Sequence, residues 1–321
     1  MAPRCWCSTW RDAVACLAVR AFWASLVVLA VGCASSPGVE PDGGAPADAG
    51  VDSDAGAGSD AGLAQDAGGA HDAGGAHDAG APGDGGWLRL APGTSWQWQL
   101  TGTIDTSVDA GVFDVDLFET PQATLDALRA SGRKVICYFD TAYEPNRPDS
   151  AQLAPYRGNP IAGWPGQYWV DFRAPAVRAV MAARLDLAAS KRCDAVEPDD
   201  VDAIDNSPGF PLTAQDQLAF CRFLADEAHA RGLGVALKNN LAQVPDLVAS
   251  FDFAVNEECF QYAECDALAP FIQAGKAVLQ VEYTSGSLAT KAAQICPQAN
   301  ALDFDTLIKQ IDLDAPRWPC R

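Results

Sequence analysis

Residues 34–86 constrain this chain more than any other feature, because they contain no Lys, Arg, Phe, Trp or Tyr and are mostly Ala, Gly, Asp, Ser and Pro. Such a stretch buries too little apolar surface to offset the entropy of ordering its backbone. Its Asp-Ala-Gly repeats, densest over Gln65–Gly80, offer no recurring apolar residue that would stack as a solenoid. Glycine makes the stretch pliant and like charges extend it, so it reads as a disordered Ala/Gly/Asp linker. His71 and His77 beside aspartates are at most weak metal donors, and a solvated spacer accounts for them. What folds is confined to residues 87–321, a length that suits one domain.

Charge divides the same way. The chain has 22 basic against 42 acidic residues, a formal net charge of −20, and the linker alone carries ten acids and no base. An acidic domain on an acidic tether repels phosphate backbones, which argues against nucleic acid as a partner and favours cationic ligands. Surface acids also serve solubility, so convergence of the acids is what separates the two readings.

The amino terminus reads as an export signal over residues 1–33. Arg4, Arg11 and Arg20 precede the apolar run Ala21–Val31, which has the length of a signal-peptide core and is short for a membrane span. Leu29-Ala-Val-Gly-Cys33 resembles a bacterial lipobox, which implies lipidation of Cys33 and a membrane anchor. An ordinary cleaved signal with secretion is the alternative. Ala34, in place of the aspartate that signals inner-membrane retention, points to the outer membrane. Cys5, Cys7 and Cys16 would leave with the signal. Seven cysteines then remain, which in an exported protein read as disulfides with one thiol left over. Cys259 with Cys265 and Cys296 with Cys320 are the expected short-range pairs. No Cys-x-x-Cys occurs and His229 is the only histidine of the domain, so neither a structural zinc nor a cofactor is expected.

Strand-like and helix-like segments alternate along the domain. Strands are expected at Trp96–Leu100, Phe113–Phe118, Lys134–Asp140, Asp194–Pro198, Gly234–Lys238, Phe251–Val255, Ala277–Val281 and Ala301–Phe304. Helices are expected at Gln122–Ala130, Val177–Ser190 and Ala214–Ala230, with a further strand, Tyr168–Phe172, inside a long loop. Eight strands in α/β alternation fit a single-domain (β/α)8 TIM barrel. The lack of Gly-x-Gly-x-x-Gly after any strand removes the dinucleotide-binding alternative.

In such barrels the reactive groups sit where strands end. Just past each strand come Asp140; Glu197, Asp199 and Asp200; Lys238, Asn239 and Asn240; Glu257 and Glu258; and Glu282. Acids serving solubility alone would scatter over helices. No Gly-x-Ser-x-Gly is present and His229 lies in a helix, which excludes a Ser/His triad. Paired carboxylates among aromatic residues are what glycosidic hydrolysis uses, one protonating the leaving oxygen while the other attacks the sugar or activates water. Trp96, Trp98, Tyr138, Tyr143, Trp164, Trp169, Tyr262 and Tyr283 offer rings for sugar faces, although core packing explains any one of them equally well. Glu197-Pro-Asp-Asp-Val-Asp202 does not match a calcium-loop spacing, and no metal site is expected.

At these residues the chain resembles glycoside hydrolase family 114, whose characterised activity is endo-α-1,4-polygalactosaminidase. The resemblance rests on Trp96–Asp105, Cys137-Tyr-Phe, Gly163-Trp-Pro-Gly166, Val196-Glu-Pro-Asp-Asp-Val-Asp202, Leu237-Lys-Asn239, Asn256–Cys265 and Val281-Glu-Tyr283, in order over residues 94–310. It departs from the family at Asp200, where Asn is common, and at Thr141, where small residues are usual. It implies a barrel that cleaves an amino-sugar polymer rich in α-1,4-galactosamine, with Asp199 and Glu257 as catalytic carboxylates. Trp98, Asp140, Tyr143, Glu197, Lys238, Asn239, Glu258, Glu282 and Tyr283 would line the substrate cleft. An acid-lined cleft suits a cationic polysaccharide, whose free amines carry charge near neutral pH. The expected protein is monomeric, with Asp199 as nucleophile and Glu257 as acid/base in a retaining reaction, although sequence leaves the proton donor open. Two other readings stand beside it: a non-catalytic carbohydrate-binding surface lipoprotein, and a structural envelope protein whose acids serve solubility.

Overall fold

A computed structural model describes residues 86–321. The export signal, Cys33 and the linker up to residue 85 fall outside the described residues. The fold is α/β, built on a curled, mainly parallel sheet.

The strands in chain order are β1 (Trp96–Gln99), β2 (Val112–Asp116), β3 (Lys134–Asp140), β4 (Arg157–Pro160), β5 (Tyr168–Val170), β6 (Ala195–Asp199), β7 (Gly234–Lys238), β8 (Phe253–Glu257), β9 (Val278–Tyr283), β10 (Asp305–Lys309) and β11 (Trp318–Pro319). Nine of them form one sheet in the order β1-β2-β3-β6-β7-β8-β9-β10-β11, parallel throughout except for β11, which runs antiparallel to β10. β4 and β5 make a separate antiparallel hairpin inside the loop after β3. The longer helices are α1 (Gln122–Ala130), α2 (Pro175–Ser190), α3 (Ala214–Ala230) and α4 (Leu288–Ala301).

The sheet strands are buried on both faces, as crossover helices on a parallel sheet require, and this is why they read as near-continuous apolar runs. One set of side chains, among them Trp96, Trp98, Ile136, Ala236, Phe253, Val255, Leu279, Val281 and Leu307, fills the concave side. The other, including Phe113, Val115, Val135, Phe139, Val196, Leu237 and Ala254, packs under the helices. Local signals set the helix ends. α1 gives way at Gly132, held at φ +82. α3 opens on a capping box in which Thr213 and Asp216 satisfy each other's backbone N–H.

The first and last parallel strands meet through side chains and the carboxy-terminal segment. Trp96 Nε1 donates to Asp305 O at 2.8 Å, Leu100 N to Leu313 O at 2.9 Å and Arg317 to Trp96 O at 2.6 Å. At the amino-terminal end of the strands, Leu88 and Leu90 join the concave core and Ala277 N donates to Leu90 O at 2.8 Å. Gly234 is needed where this entering segment crosses, because a Cβ there would lie 2.3 Å from Leu88 O.

Several strand expectations need correction: Phe113–Phe118 ends at Asp116, Tyr168–Phe172 ends at Val170, and Ala277–Val281 runs on to Tyr283. Ala301–Phe304 is not a strand: α4 runs through Ala301, Phe304 N closes back onto Ala299 O, and β10 begins at Asp305. Leu302 and Phe304 instead pack the end of the helix into the core. β8 likewise begins at Phe253, because Asp252 ties the preceding turn to β7 through Val235 N. The disulfides are Cys137–Cys193, Cys259–Cys265 and Cys296–Cys320, leaving Cys221 as a buried free thiol. The two short-range pairs are those expected.

Candidate active site

Five strands adjacent in the sheet deliver one residue each to the same rim. Asp140 ends β3, Asp199 ends β6, Lys238 ends β7, Glu257 ends β8 and Tyr283 ends β9. Parallel register makes this automatic, since Asp140 stands opposite Asp199 and Lys238 opposite Val255. The chain then turns sharply: Asp200, Asn239, Asn240 and Glu258, each just beyond a strand end, have positive φ of 58, 46, 48 and 58. Asn and Asp accept this conformation through their short polar side chains, whereas for Glu258 it is strain of the kind that collects at functional sites.

Lys238 occupies the centre. Its Nζ lies 3.0 Å from Asp199 Oδ2, 3.2 Å from Glu257 Oε2 and 3.5 Å from Glu197 Oε1, and 5.0 Å from the centroid of the Trp98 ring. The Lys238 side chain is 2% exposed, whereas Asp199 and Glu257 are 21% and 29% exposed. The cation is therefore sealed beneath two carboxylates that remain open to the cleft. Burial alone would lower the lysine, but Asp199, Glu257 and Glu197 outweigh it and hold the ammonium well above its ordinary range.

Each open carboxylate also holds a tyrosine. Tyr283 donates its hydroxyl to Glu257 Oε1 at 2.5 Å, and the Tyr138 hydroxyl lies 3.0 Å from both Asp199 Oδ2 and Asp140 Oδ1. Burial, with neighbouring acids, raises both phenols well above the usual value, so they remain donors. Asp199 Oδ1 accepts the Asp200 N–H at 2.7 Å. Around this pair, burial and like charges push Asp140 up to about 8, Asp202 to about 7 and Glu258 to about 8, and Asp200 well above its ordinary value.

The remaining residues expected at the cleft fall into distinct places. Glu197 is fully buried below Lys238, and Trp98 is 1% exposed with its ring beside the ammonium, so neither presents a surface to a sugar. Asn239 spends its Oδ1 on the Glu257 and Asn256 N–H groups, fixing the end of β8. Glu282 turns away from the cleft: its carboxylate accepts Phe260 N and Gln280 Nε2 and pairs with Lys291 of α4 at 3.3 Å. Strand alternation explains this, because Val281 and Tyr283 point inward on either side of it. Tyr143 packs edge-on against Tyr168 with Arg157 over its ring, on the hairpin loop. Asp114 was missed by the sequence reading, although an acid between Phe113 and Val115 in a fully buried strand was a visible signal. Among the described residues no group of three or more His, Cys, Asp or Glu is arranged to hold a metal ion.

The model of glycoside hydrolase family GH114 matches residues 77–321. The chain belongs to this family and is a glycosidase. Solved structures are also similar to it. Ega3 of Aspergillus fumigatus, crystallised in complex with galactosamine, is 40% identical with a TM-score of 0.69, over 73% of this chain and 97% of that one. The glycoside hydrolase domain of PelA from Pseudomonas aeruginosa, 12% identical over 70% of this chain and 96% of its own, shares the fold with a TM-score of 0.56. An uncharacterized protein of Deinococcus radiodurans is 28% identical over 255 residues, 66% of this chain and 82% of that protein.

Proposed function

We propose that this GH114 glycosidase is an exported endo-hydrolase of α-1,4-linked, galactosamine-rich polysaccharide, with a closed (β/α)8 barrel as its framework. Asp199 and Glu257 are its catalytic pair. The observation that carries the reading is the single ammonium of Lys238 bonded to both carboxylates, which fixes two open acids at one depth in an otherwise sealed rim.

The same observation favours retention. Oxygens that share one ammonium at these distances are at most about 6 Å apart, close to the roughly 5–5.5 Å of retaining enzymes and short of the roughly 6.5–9.5 Å that leaves room for an attacking water. Asp199 then attacks the anomeric carbon while Glu257 protonates the leaving oxygen. Water, deprotonated by Glu257, releases the sugar in the second step. Lys238 and Tyr138 keep Asp199 aimed. Tyr283 fixes the rotamer of Glu257.

A galactosamine-rich substrate is supported by the Ega3 complex and by the half-buried Asp200 and Asp202 beside the pair, which would meet cationic sugar amines. Export is supported by the apolar run before Cys33 and by three disulfides. Lipidation at Cys33 would tether the domain through the acidic spacer.

Purified protein incubated with partly deacetylated α-1,4-galactosaminogalactan should release short amino-sugar oligomers, read by mass spectrometry. Asp199→Asn and Glu257→Gln should each lower kcat by roughly 10³-fold or more. Polymer binding without release by the wild type would move the weight to a carbohydrate-binding lipoprotein. Full activity in either variant would mean the catalytic acids are others.

A further inference from the structure

Below Lys238 lies a second pair of carboxyls. Asp114, on β2, and Glu197, on β6, are both 0% exposed and face one another from the concave side of the sheet. Each lies close enough to act on the charge of the other. None of their four oxygens has a hydrogen-bond partner, the nearest cation being Lys238 Nζ at 3.5 Å from Glu197 Oε1. Two carboxylates cannot donate to one another, and two buried, unpaired negative charges in contact are prohibitively costly. A single proton between them resolves both problems and leaves one negative charge.

We propose that Asp114 and Glu197 share one proton, and that their one remaining charge positions the Lys238 ammonium between Asp199 and Glu257. The pair holds the lysine from beneath when Asp199 loses its own charge in bonding to the sugar. Asp114 and Glu197 are positioning residues, since neither reaches the cleft. This rests on the assignment of Asp199 and Glu257 as the catalytic carboxylates. The direction of the shifts agrees: burial pushes Asp114 up to about 7, and burial followed by the Asp114 charge pushes Glu197 well above its ordinary range. The other groups facing the pair are Asp199 on β6, Tyr138 on β3 and Tyr283 on β9. Both tyrosines are neutral donors already engaged with the open carboxylates.

The arrangement makes an unusual demand on mutagenesis. Glu197→Gln leaves Asp114 ionised, and Asp114→Asn leaves Glu197 to ionise beside Lys238, so each single amide keeps one charge. Only the double variant removes it. Each single variant should lower kcat by less than about tenfold, whereas the double should fall roughly a hundredfold below the product of the two. Loss of the buried charge favours ionisation of the remaining carboxyls, so both limbs of the rate–pH profile should move about one unit lower in the double and stay in place in the singles.

Infrared difference spectra provide a readout that needs no substrate. Each single variant should lose one protonated-carboxyl band relative to wild type and retain its carboxylate intensity. The double should lose one band of each kind. Additive kinetics with no shift in the double variant, or singles that lose a carboxylate band and keep the protonated one, would overturn the shared proton. Should the double variant fail to fold, the spectra of the singles decide. Should wild-type protein leave the galactosamine polymer uncleaved, the functional reading fails, while the spectra still decide the pair.

Discussion

The two ends of the sheet both bury carboxylates but treat them differently. At the amino-terminal end, Asp252 is 3% exposed and fully supplied: it accepts Val235 N at 3.0 Å and Trp87 Nε1 at 3.0 Å, meets His229 Nε2 at 2.8 Å, and lies 3.5 Å from Arg89 Nε. Trp87 stacks on His229 at 4.0 Å and closes the cluster. Asp194 is built alike, accepting Val135 N at 3.0 Å with Lys134 at 3.1 Å and Arg129 at 3.3 Å. At the carboxy-terminal end, Lys238 serves three acids, and Asp140, Asp202 and Glu258 are pushed to between about 7 and about 8. Where acids hold strands together, the fold spends backbone N–H groups and cations on them. At the carboxy-terminal rim one ammonium is shared among three acids, and several neighbouring carboxyls are pushed up toward neutral pH.

The strongest way to break this contrast is Lys238→Met. It should lower kcat by roughly 10²–10³-fold with circular dichroism unchanged, and move both limbs of the rate–pH profile upward, because the carboxyls lose the charge that favours ionisation. A shift in the other direction would place Lys238 outside the electrostatics of the pair. At the opposite end, Asp252→Ala should cost about 3 kcal/mol in urea unfolding, since it strands Val235 N, Trp87 Nε1 and His229, while kcat of the folded fraction stays at the wild-type value. A kcat effect comparable to that of Lys238→Met would erase the division.

A pH series sharpens the contrast at the next scale. Carboxyls raised in the folded state hold protons that the unfolded chain has released near its ordinary value of about 4. Their stabilisation is therefore complete below about pH 4 and is lost as pH rises through about 7 to about 8. Lys309, lowered by burial to about 7, acts oppositely above that point. Calorimetry should find Tm falling by several degrees from pH 5 to pH 8. A cationic polymer should recover part of the loss by pairing with the newly ionised acids. The smallest effect belongs to Arg89→Ala, whose 45% exposed side chain should contribute under about 1 kcal/mol.

Much of the fold was legible because period and punctuation agreed. Gln122–Ala130 and Ala214–Ala230 begin and end where expected, and Lys134–Asp140 and Gly234–Lys238 are strands at the expected bounds. The failure at Ala301–Phe304 came from a short apolar run, for which a buried helix end and a strand look alike. In the candidate site, residue type and placement at strand ends picked out Asp199, Lys238 and Glu257, and the family resemblance added Tyr283. Orientation was less legible at Glu282, where one step of alternation turns the side chain to α4 and Lys291.

The sequence by itself determined the α/β order, the stops of two helices at glycine, and the presence of acids at successive strand ends, because these follow from composition and local period. Only the tertiary structure decided what each acid meets. One lysine joining Asp199 to Glu257, one hidden pair of carboxyls beneath it and one outward glutamate are set by the register of strands far apart in sequence. Pairwise distance and burial, which fix the charge of a carboxyl, come into being only when those strands lie side by side.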